Sequence, residues 1–351
     1  MTKPLYIDGS HGEGGGQILR TSLTLAAMTE QSVRIDRIRA KRKNPGLAPQ
    51  HLTAVRAVAA ICDARVTGDD PGSTTLEFTP TRTPKAGRYT FDVTEATGAG
   101  SAGAVTLILQ AILLPLAFAD GSSTAILKGG THVAWSPPAT YIDRVYLPLL
   151  RQLGLDVQIT LAAWGWYPRG GGEVQLQVRG QTTSLGNLDL LDRGDLQQVT
   201  GVAAVTELPS HIPQRMAARA NNLLRQSKFP GQIQPLRERG VAPGAGIVLV
   251  AEYDRALAGF SALGRPGLPS NRVAEIAFAQ LQEFHDSDAP VDLHLADQLL
   301  LPLALAAQPS RYRVARVTPH LITNAEAISQ FGVANVAIST DTRIVMVTPT
   351  E

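Results

Sequence analysis

The chain has 351 residues, enough for two domains or for one large domain carrying an insertion. Hydrophobic residues make up 44% and charged residues 18%, as in an ordinary folded protein, and a net charge of +2 excludes a broadly basic nucleic-acid coat. Aromatics at 5% exclude the base-stacking platform of a general single-strand binder, so any nucleic acid is touched at an end or over a few nucleotides. The single cysteine, Cys62, excludes internal disulfides and a cysteine zinc cage. It shares an apolar helical face with Leu52, Val55 and Val58, the usual setting of a buried core thiol.

In chain order, the first predicted element is the strand Leu5-Tyr6-Ile7. It leaves no room for a signal peptide, so a cytoplasmic or equally reducing location is expected. A glycine-rich turn follows, Gly12-Glu13-Gly14-Gly15-Gly16, opening an apolar helix over Gly14 to Ala27. Next comes a basic cluster, Arg34, Arg37, Arg39, Lys41, Arg42 and Lys43, ending in the turn Pro45-Gly46. The helix Gln50 to Cys62, the strand Ala64 to Thr67, a turn at Asp69 to Gly72 and the strand Thr75 to Phe78 complete a unit.

The same order recurs. A small-residue turn, Gly98 to Gly103, precedes the apolar helix Gly100 to Phe118, whose longest run, Ala104 to Ala119, falls short of the ~20 residues of a membrane span. No membrane partner is expected. The helix Tyr141 to Leu153 carries Ile142, Val145, Leu149 and Leu153 on one face, and the strands Leu155 to Leu161 and Glu173 to Val178 follow. The third copy has helices over His294 to Ala307 and Asn324 to Phe331, then strands at Val333 to Ser339 and Arg343 to Val347.

The spacing between the second and third copies is doubled, which implies an inserted segment of about 100 residues, the size of a small domain. Within it, strands are expected at Leu196 to Val205, Ile247 to Tyr253 and Gly259 to Leu263, and helices at Pro213 to Leu224 and Asn271 to Phe284. Seven prolines, Pro235 among them, punctuate this segment. The expected architecture is α/β or α+β, with repeats one and two in residues 1–183, an inserted small α/β domain at 184–280, and repeat three in 281–351.

Several residues could carry chemistry. The glycine-rich turn suits close approach of an anion to backbone amides at a helix start. Glu13, its only carboxylate, reads either as a metal-associated group beside phosphates or as a helix-start residue. Arg20, Arg39, Arg42, Lys43, Gln50 and His51 could grip a terminal phosphate, since guanidinium groups offer a bidentate fork; the alternative is a solvated basic loop, against which Pro45-Gly46 argues for a defined turn. Gln110 interrupts an apolar helix face and needs a partner there. Asp297 is either a helix-start residue or part of a shared cleft. The seven histidines lack the close pairing of a zinc site, and neither a nucleophile elbow nor a Walker element is present.

The blocks Gly12-Glu13-Gly14-Gly15-Gly16-Gln17-Ile18-Leu19-Arg20 and Arg42-Lys43-Asn44-Pro45-Gly46-Leu47, with Gln50-His51-Leu52-Thr53-Ala54, closely resemble the RNA 3′-terminal phosphate cyclase family. Gly129-Gly130-Thr131, Pro137-Pro138-Ala139, Tyr167 to Gly172, His294 to Gln298 and His320-Leu321-Ile322-Thr323-Asn324 agree, in family order. The resemblance implies three βαβαββ units plus an inserted smaller α/β domain. It also implies ATP as substrate, a Mg²⁺ or Mn²⁺ ion and RNA 3′-phosphate ends as partner, and it leaves a homo-oligomer open.

Residue by residue, His320 matches the nucleophile that takes AMP from ATP. Gln110, Pro138, His294, Leu295, Ala296, Asp297 and Gln298 match ATP-binding positions; His294 stands where the family varies and reads as adenosine-contacting, not essential. Glu13 matches a metal-associated carboxylate, and Arg20, Arg39, Arg42, Gln50 and His51 match the region that receives the RNA end. The turn Gly264 to Pro269 departs from the family's more charged one, in the inserted domain. The implied reaction converts an RNA 3′-phosphate to a 2′,3′-cyclic phosphate through a histidyl-AMP and an RNA–adenylate anhydride. A catalytically silent relative acting in ribosome assembly would lack the His320 block, and an enolpyruvyl transferase, built from the same unit, would need neither that block nor ATP.

Overall fold

The structure, a computed structural model, describes residues 3–96, 101–181 and 183–350. The turn expected at Gly98, Ala99 and Gly100 lies outside the described residues. The first sheet is built from β1 (Leu5–Asp8), β2 (Val33–Asp36), β3 (Arg65–Thr67) and β4 (Leu76–Thr79), in the order β1-β2-β4-β3. β1 and β2 run parallel, which requires a crossover, and α1 (Gly16–Thr29) supplies it. After α2 (Pro49–Cys62), β3 and β4 add as an antiparallel pair. Alternation sets the buried face: Val33 and Ile35 are fully buried while Arg34 between them faces water.

Two further sheets repeat this plan. One contains β5 (Arg88–Asp92), β6 (Ser122–Gly129), β7 (Asp156–Ala163) and β8 (Gly172–Arg179), in the order β5-β6-β8-β7, with α3 (Val105–Ala117) between its parallel strands. Before β7 the chain forms α4 (Ala139–Tyr141), a π turn (Ile142–Tyr146) and α5 (Leu147–Gln152). Pro148, which has no amide to give to the Arg144 carbonyl, accounts for the irregular turn. The expected single helix over Tyr141 to Leu153 is thus continuous but not regular.

The fourth sheet, in the order β11-β10-β12-β13, comprises β10 (Leu196–Thr206), β11 (Gly231–Glu238), β12 (Gly244–Tyr253) and β13 (Leu257–Leu263). Helices α6 (His211–Gln226) and α7 (Ser270–Asp286) bury their apolar stripes against it. β11 escaped the sequence pattern because Pro235 reads as a break. It forms an edge strand, where a missing amide is tolerated.

The remaining sheet has β9 (Asp189–Leu190), β14 (Ser310–Arg313), β15 (Ala334–Ile338) and β16 (Ile344–Pro349), in the order β15-β16-β14-β9. Leu190 pairs with Tyr312, and Val291 forms an isolated bridge to Val314, two residues further on and just past the end of that strand. The chain therefore leaves this sheet after β9 and returns beside the point of departure. α8 (Leu295–Gln298) and α9 (Leu300–Ala304) replace the one helix expected over His294 to Ala307, and Pro302 has no amide to close onto Gln298.

The last helix, α10 (Pro319–Gln330), begins earlier than the expected Asn324. Thr318 caps it by accepting from the Leu321 amide at 3.2 Å, with Pro319 in the first turn, a start signal legible in the sequence but not read. His320 therefore rides on a helix start, not on a loop. The whole is a mixed α+β fold, with α3 buried on nearly every side and its Ile108 and Ile112 fully inaccessible. Cys62 is a core thiol pushed up by burial to about 11. Among the described residues no helix is long and apolar enough to cross a membrane.

Candidate active site

Four segments meet at the start of α1. Gly15 and Gly16 have no side chains there because other groups fill the space: a Cβ on Gly15 would lie 2.7 Å from Arg42 Nη2, and one on Gly16 would run into His51 Nε2. The Glu13 amide donates to Thr323 Oγ1 of α10 at 3.1 Å, which draws the glycine-rich turn onto the His320 helix. Arg42 pairs with Glu13 Oε1.

His320 lies on the other side of that carboxylate. Its Nδ1 is 2.5 Å from Glu13 Oε2 and 3.2 Å from Gln17 Oε1. The contact with Oε2 is close but not aligned as a hydrogen bond, so Oε2 is a buried oxygen without a hydrogen-bond partner. Gln17 makes the aligned contact, and its Nε2 donates to Asp297 Oδ2 at 2.5 Å. With its oxygen accepting, Gln17 calls for the proton on Nδ1, which leaves the lone pair on Nε2. Among the described residues nothing hydrogen-bonds to Nε2, and the ring is half exposed. Burial lowers the ring's pKa, Glu13 opposes that shift, and Arg42, Arg20 and His294 reinforce it. A neutral imidazole with an accessible lone pair follows.

The rest of the constellation holds this geometry. Asn324 donates to the Asp297 carbonyl at 2.8 Å and accepts from Thr21 at 2.6 Å, stitching α10 to α8 and α1. Gln110 of α3 donates to Gln298 Oε1 at 2.8 Å, and Gln298 donates to the His294 carbonyl at 2.7 Å. Gln17, Arg20, Gln110, Tyr146, Asp297 and Asn324 border a cavity of about 50 Å³, room for water but not for a base. Burial pushes Arg20 down to about 10, so it stays cationic at neutral pH. Burial raises Asp297 to about 7, with Arg20 and Gln17 opposing.

The expected site residues do not all contribute in the same way. Arg39 donates to the Gly46 carbonyl at 2.7 Å and fixes the Pro45-Gly46 turn. Gln50 accepts from the Ala104 amide at 2.9 Å, which pins it at the start of α3. His51 is buried and held well below the usual imidazole range by desolvation and neighbouring arginines, and its Nδ1 lacks a hydrogen-bond partner. Leu295 and Ala296 are core residues, and the Ala296 carbonyl accepts from Tyr312. Pro138 caps α4 and does not border the cavity, while His294 is exposed.

Gln17 and Asp292 were missed from the sequence. Asp292, almost fully buried, accepts from the His294 and Leu295 amides, both at 2.9 Å, and from Tyr141 and the Gly259 amide, both at 3.1 Å. An aspartate two or three residues before a helix is a local cap signal that could have found it. Gln17 gave no such signal, because its partners are more than 250 residues away in sequence.

A divalent ion fits Glu13 only in part. Its buried Oε2 makes no aligned hydrogen bond but lies 2.5 Å from the His320 ring, and among the described residues no three His, Cys, Asp or Glu side chains cluster closely enough to hold a metal by themselves. One carboxylate is too small a donor set to hold an ion alone, so an ion there would need oxygens from a bound ligand as well.

Asp297 carries a pH signature. Its folded pKa, about 7, lies above the ordinary 3.8, so the favourable contribution is complete below 3.8 and is lost as pH rises through 7. The melting temperature of the protein should therefore fall relative to that of Asp297→Asn between pH 4 and 7 and run parallel above pH 8. A constant difference across that range would show that Asp297 does not titrate as a buried acid.

The family model described as RNA 3′-terminal phosphate cyclase matches residues 11–338. The chain is 61% identical to a protein of that name from Gloeothece citriformis and 60% identical to one from Nostoc punctiforme, each over 98% of both chains. It is 39% identical to one from Salmonella agona, over 94% of this chain and 93% of that one. With the His320, Glu13 and Gln298 segments assembled around one cleft, the chain belongs to the RNA 3′-terminal phosphate cyclase family.

Proposed function

We propose that this protein converts an RNA 3′-terminal phosphate to a 2′,3′-cyclic phosphate at the expense of ATP, through a covalent adenylate on His320. The observation that carries this reading is the orientation of His320: Nδ1 is engaged by Gln17 beside Glu13, while among the described residues nothing hydrogen-bonds to Nε2 of the half-exposed ring. Nε2 attacks the α-phosphorus of ATP, forming a P–N bond and expelling pyrophosphate. An oxygen of the RNA 3′-phosphate then attacks the same phosphorus and breaks that bond. The neighbouring 2′-hydroxyl attacks the activated 3′-phosphorus and expels AMP, which restricts the reaction to RNA ends.

Arg20 and Arg42 offset charge developing on the phosphoryl oxygens; His51 borders the start of α1 and Gln50 the start of α3, where the RNA end would be received. A Mg²⁺ or Mn²⁺ ion held through Glu13 would add Lewis-acid stabilisation of those oxygens. Incubation with α-labelled ATP and metal, followed by a denaturing gel, tests the reading. A labelled protein band discharged by 3′-phosphorylated RNA is expected; RNA cyclised with no labelled protein at any time would remove the covalent step.

Residues 191–290 read as a separate folding unit set into the third repeat, which shifts the limits expected at 184 and 280. The support is that the chain leaves beside Tyr312 of β14 and re-enters just past the end of that strand, two residues apart, roughly 7 Å. Replacing 191–290 by a short flexible linker should leave a cooperatively melting body, destabilised where Tyr141 and Trp166 lose the cover of Gly259 and Gly244. A product without a thermal transition would show one shared core.

A further inference from the structure

Trp135 and Tyr167 are the two most exposed large apolar side chains among the described residues, 98% and 79% accessible. Trp135 also takes a φ of 66°, a strained left-handed conformation for a bulky residue. Holding a ring out in water on strained backbone is unfavourable unless something absent covers it.

The loops that carry them are locked together. The Thr131 and His132 amides both donate to the Gly165 carbonyl, at 2.9 and 3.0 Å, and the Gly165 amide donates back to Thr131 Oγ1 at 2.9 Å. The His132 ring stacks on Trp164, centroids 4.2 Å apart, and tilts against Trp166 at 5.2 Å. Both loops also lean on residues 101–104. Val133 packs with Ala102, Ala104 and Leu107, and a Cβ on Gly170 would run into the Ser101 carbonyl.

Residues 101–104 are also what Gln50 touches, through the Ala104 amide. A chain of contacts therefore links Gln50 to the two loops that carry the rings. It continues onto the 191–290 unit, where Gly240 bridges to Trp164 and the half-exposed Val241 covers Gly171. Arg169 and Arg239 are exposed along it, and among the described residues neither side chain forms a hydrogen bond or ion pair.

We infer that Trp135 and Tyr167 form a stacking subsite for the RNA bases that precede the terminal nucleotide, with Arg169 and Arg239 facing the phosphates between them. The inference rests on the RNA-end reading of Gln50. Every base has a π-face, so two rings give sequence-tolerant binding, and guanidinium groups add charge attraction along the backbone.

The test compares two 5′-labelled decamers ending in a 3′-phosphate, one intact and one lacking bases at the three positions before the last nucleotide. Wild type should bind and cyclise the intact strand with a KM at least about tenfold lower than the abasic one. The double variant Trp135→Ala, Tyr167→Ala should treat both strands alike, with the higher KM, an unchanged kcat at saturating RNA and undiminished self-adenylylation. Phe at both positions should restore discrimination.

The subsite is overturned if the double variant still prefers the intact strand, or if self-adenylylation falls in parallel, which would place the rings against adenosine or in the fold. Anisotropy with the same strands separates this outcome from failure of the reaction itself. Binding that discriminates in wild type but not in the variant upholds the subsite even without cyclisation, and equal binding by both proteins removes it.

Discussion

His320→Asn should abolish the covalent AMP adduct and RNA cyclisation, each by at least about a thousandfold, because only the attacking lone pair is lost. Asn keeps a polar group near Gln17, and α10 keeps its cap, since Thr318 still accepts from Leu321. The fold and part of the ATP affinity should therefore survive, read as an unchanged melting curve and as binding of ATP by calorimetry. The wild-type adduct should be labile in acid and stable in alkali, as a phosphoramidate is. A labelled band in the Asn protein would move the nucleophile elsewhere, with His294, the neighbouring exposed imidazole, the next residue to replace.

The second large effect separates two residues that the sequence treats alike. From sequence, Arg42 and Gln50 both belong to the RNA end, so either Ala variant would spare self-adenylylation. The structure divides them. Arg42 grips the carboxylate whose other oxygen flanks His320, whereas Gln50 is tied to the start of α3 through Ala104.

Arg42→Ala should therefore lower both self-adenylylation and RNA cyclisation, each by roughly tenfold to a hundredfold, the range of a lost charge-assisted contact. Gln50→Ala should lower cyclisation alone. Single-turnover formation of the adduct, measured apart from its discharge by RNA, distinguishes the two steps. Adduct formation at the wild-type rate in Arg42→Ala would show that the pair with Glu13 only orders the turn. Equal loss of both steps in Gln50→Ala would mean that Ala104 needs its acceptor to keep α3 in place.

Local chemistry made much of this legible in advance. Periodicity located α1, α2, β10 and α7 within a few residues, because each buries a single face and a buried face leaves a repeat in the sequence. It failed where proline changed the local rule: in the edge strand β11, at the break between α8 and α9, and at the start of α10. The glycine-rich turn and the basic cluster, expected to share an anion site, do meet at the start of α1, where Arg42 fills the space beside Gly15.

What the sequence determined by itself about this protein is thus its α+β class, its family, and the blocks that carry the family resemblance. Only the tertiary structure decided which residues of those blocks touch one another. It put Gln17 between Asp297 and His320, made Leu295 and Ala296 core residues, and turned Arg39 to the Gly46 carbonyl. It also set Asp292 where Tyr141, Gly259 and the start of α8 converge. The physical reason is range: helix and strand patterns are written within a few neighbouring residues, whereas the partner of a buried polar group is chosen by packing among segments hundreds of residues apart.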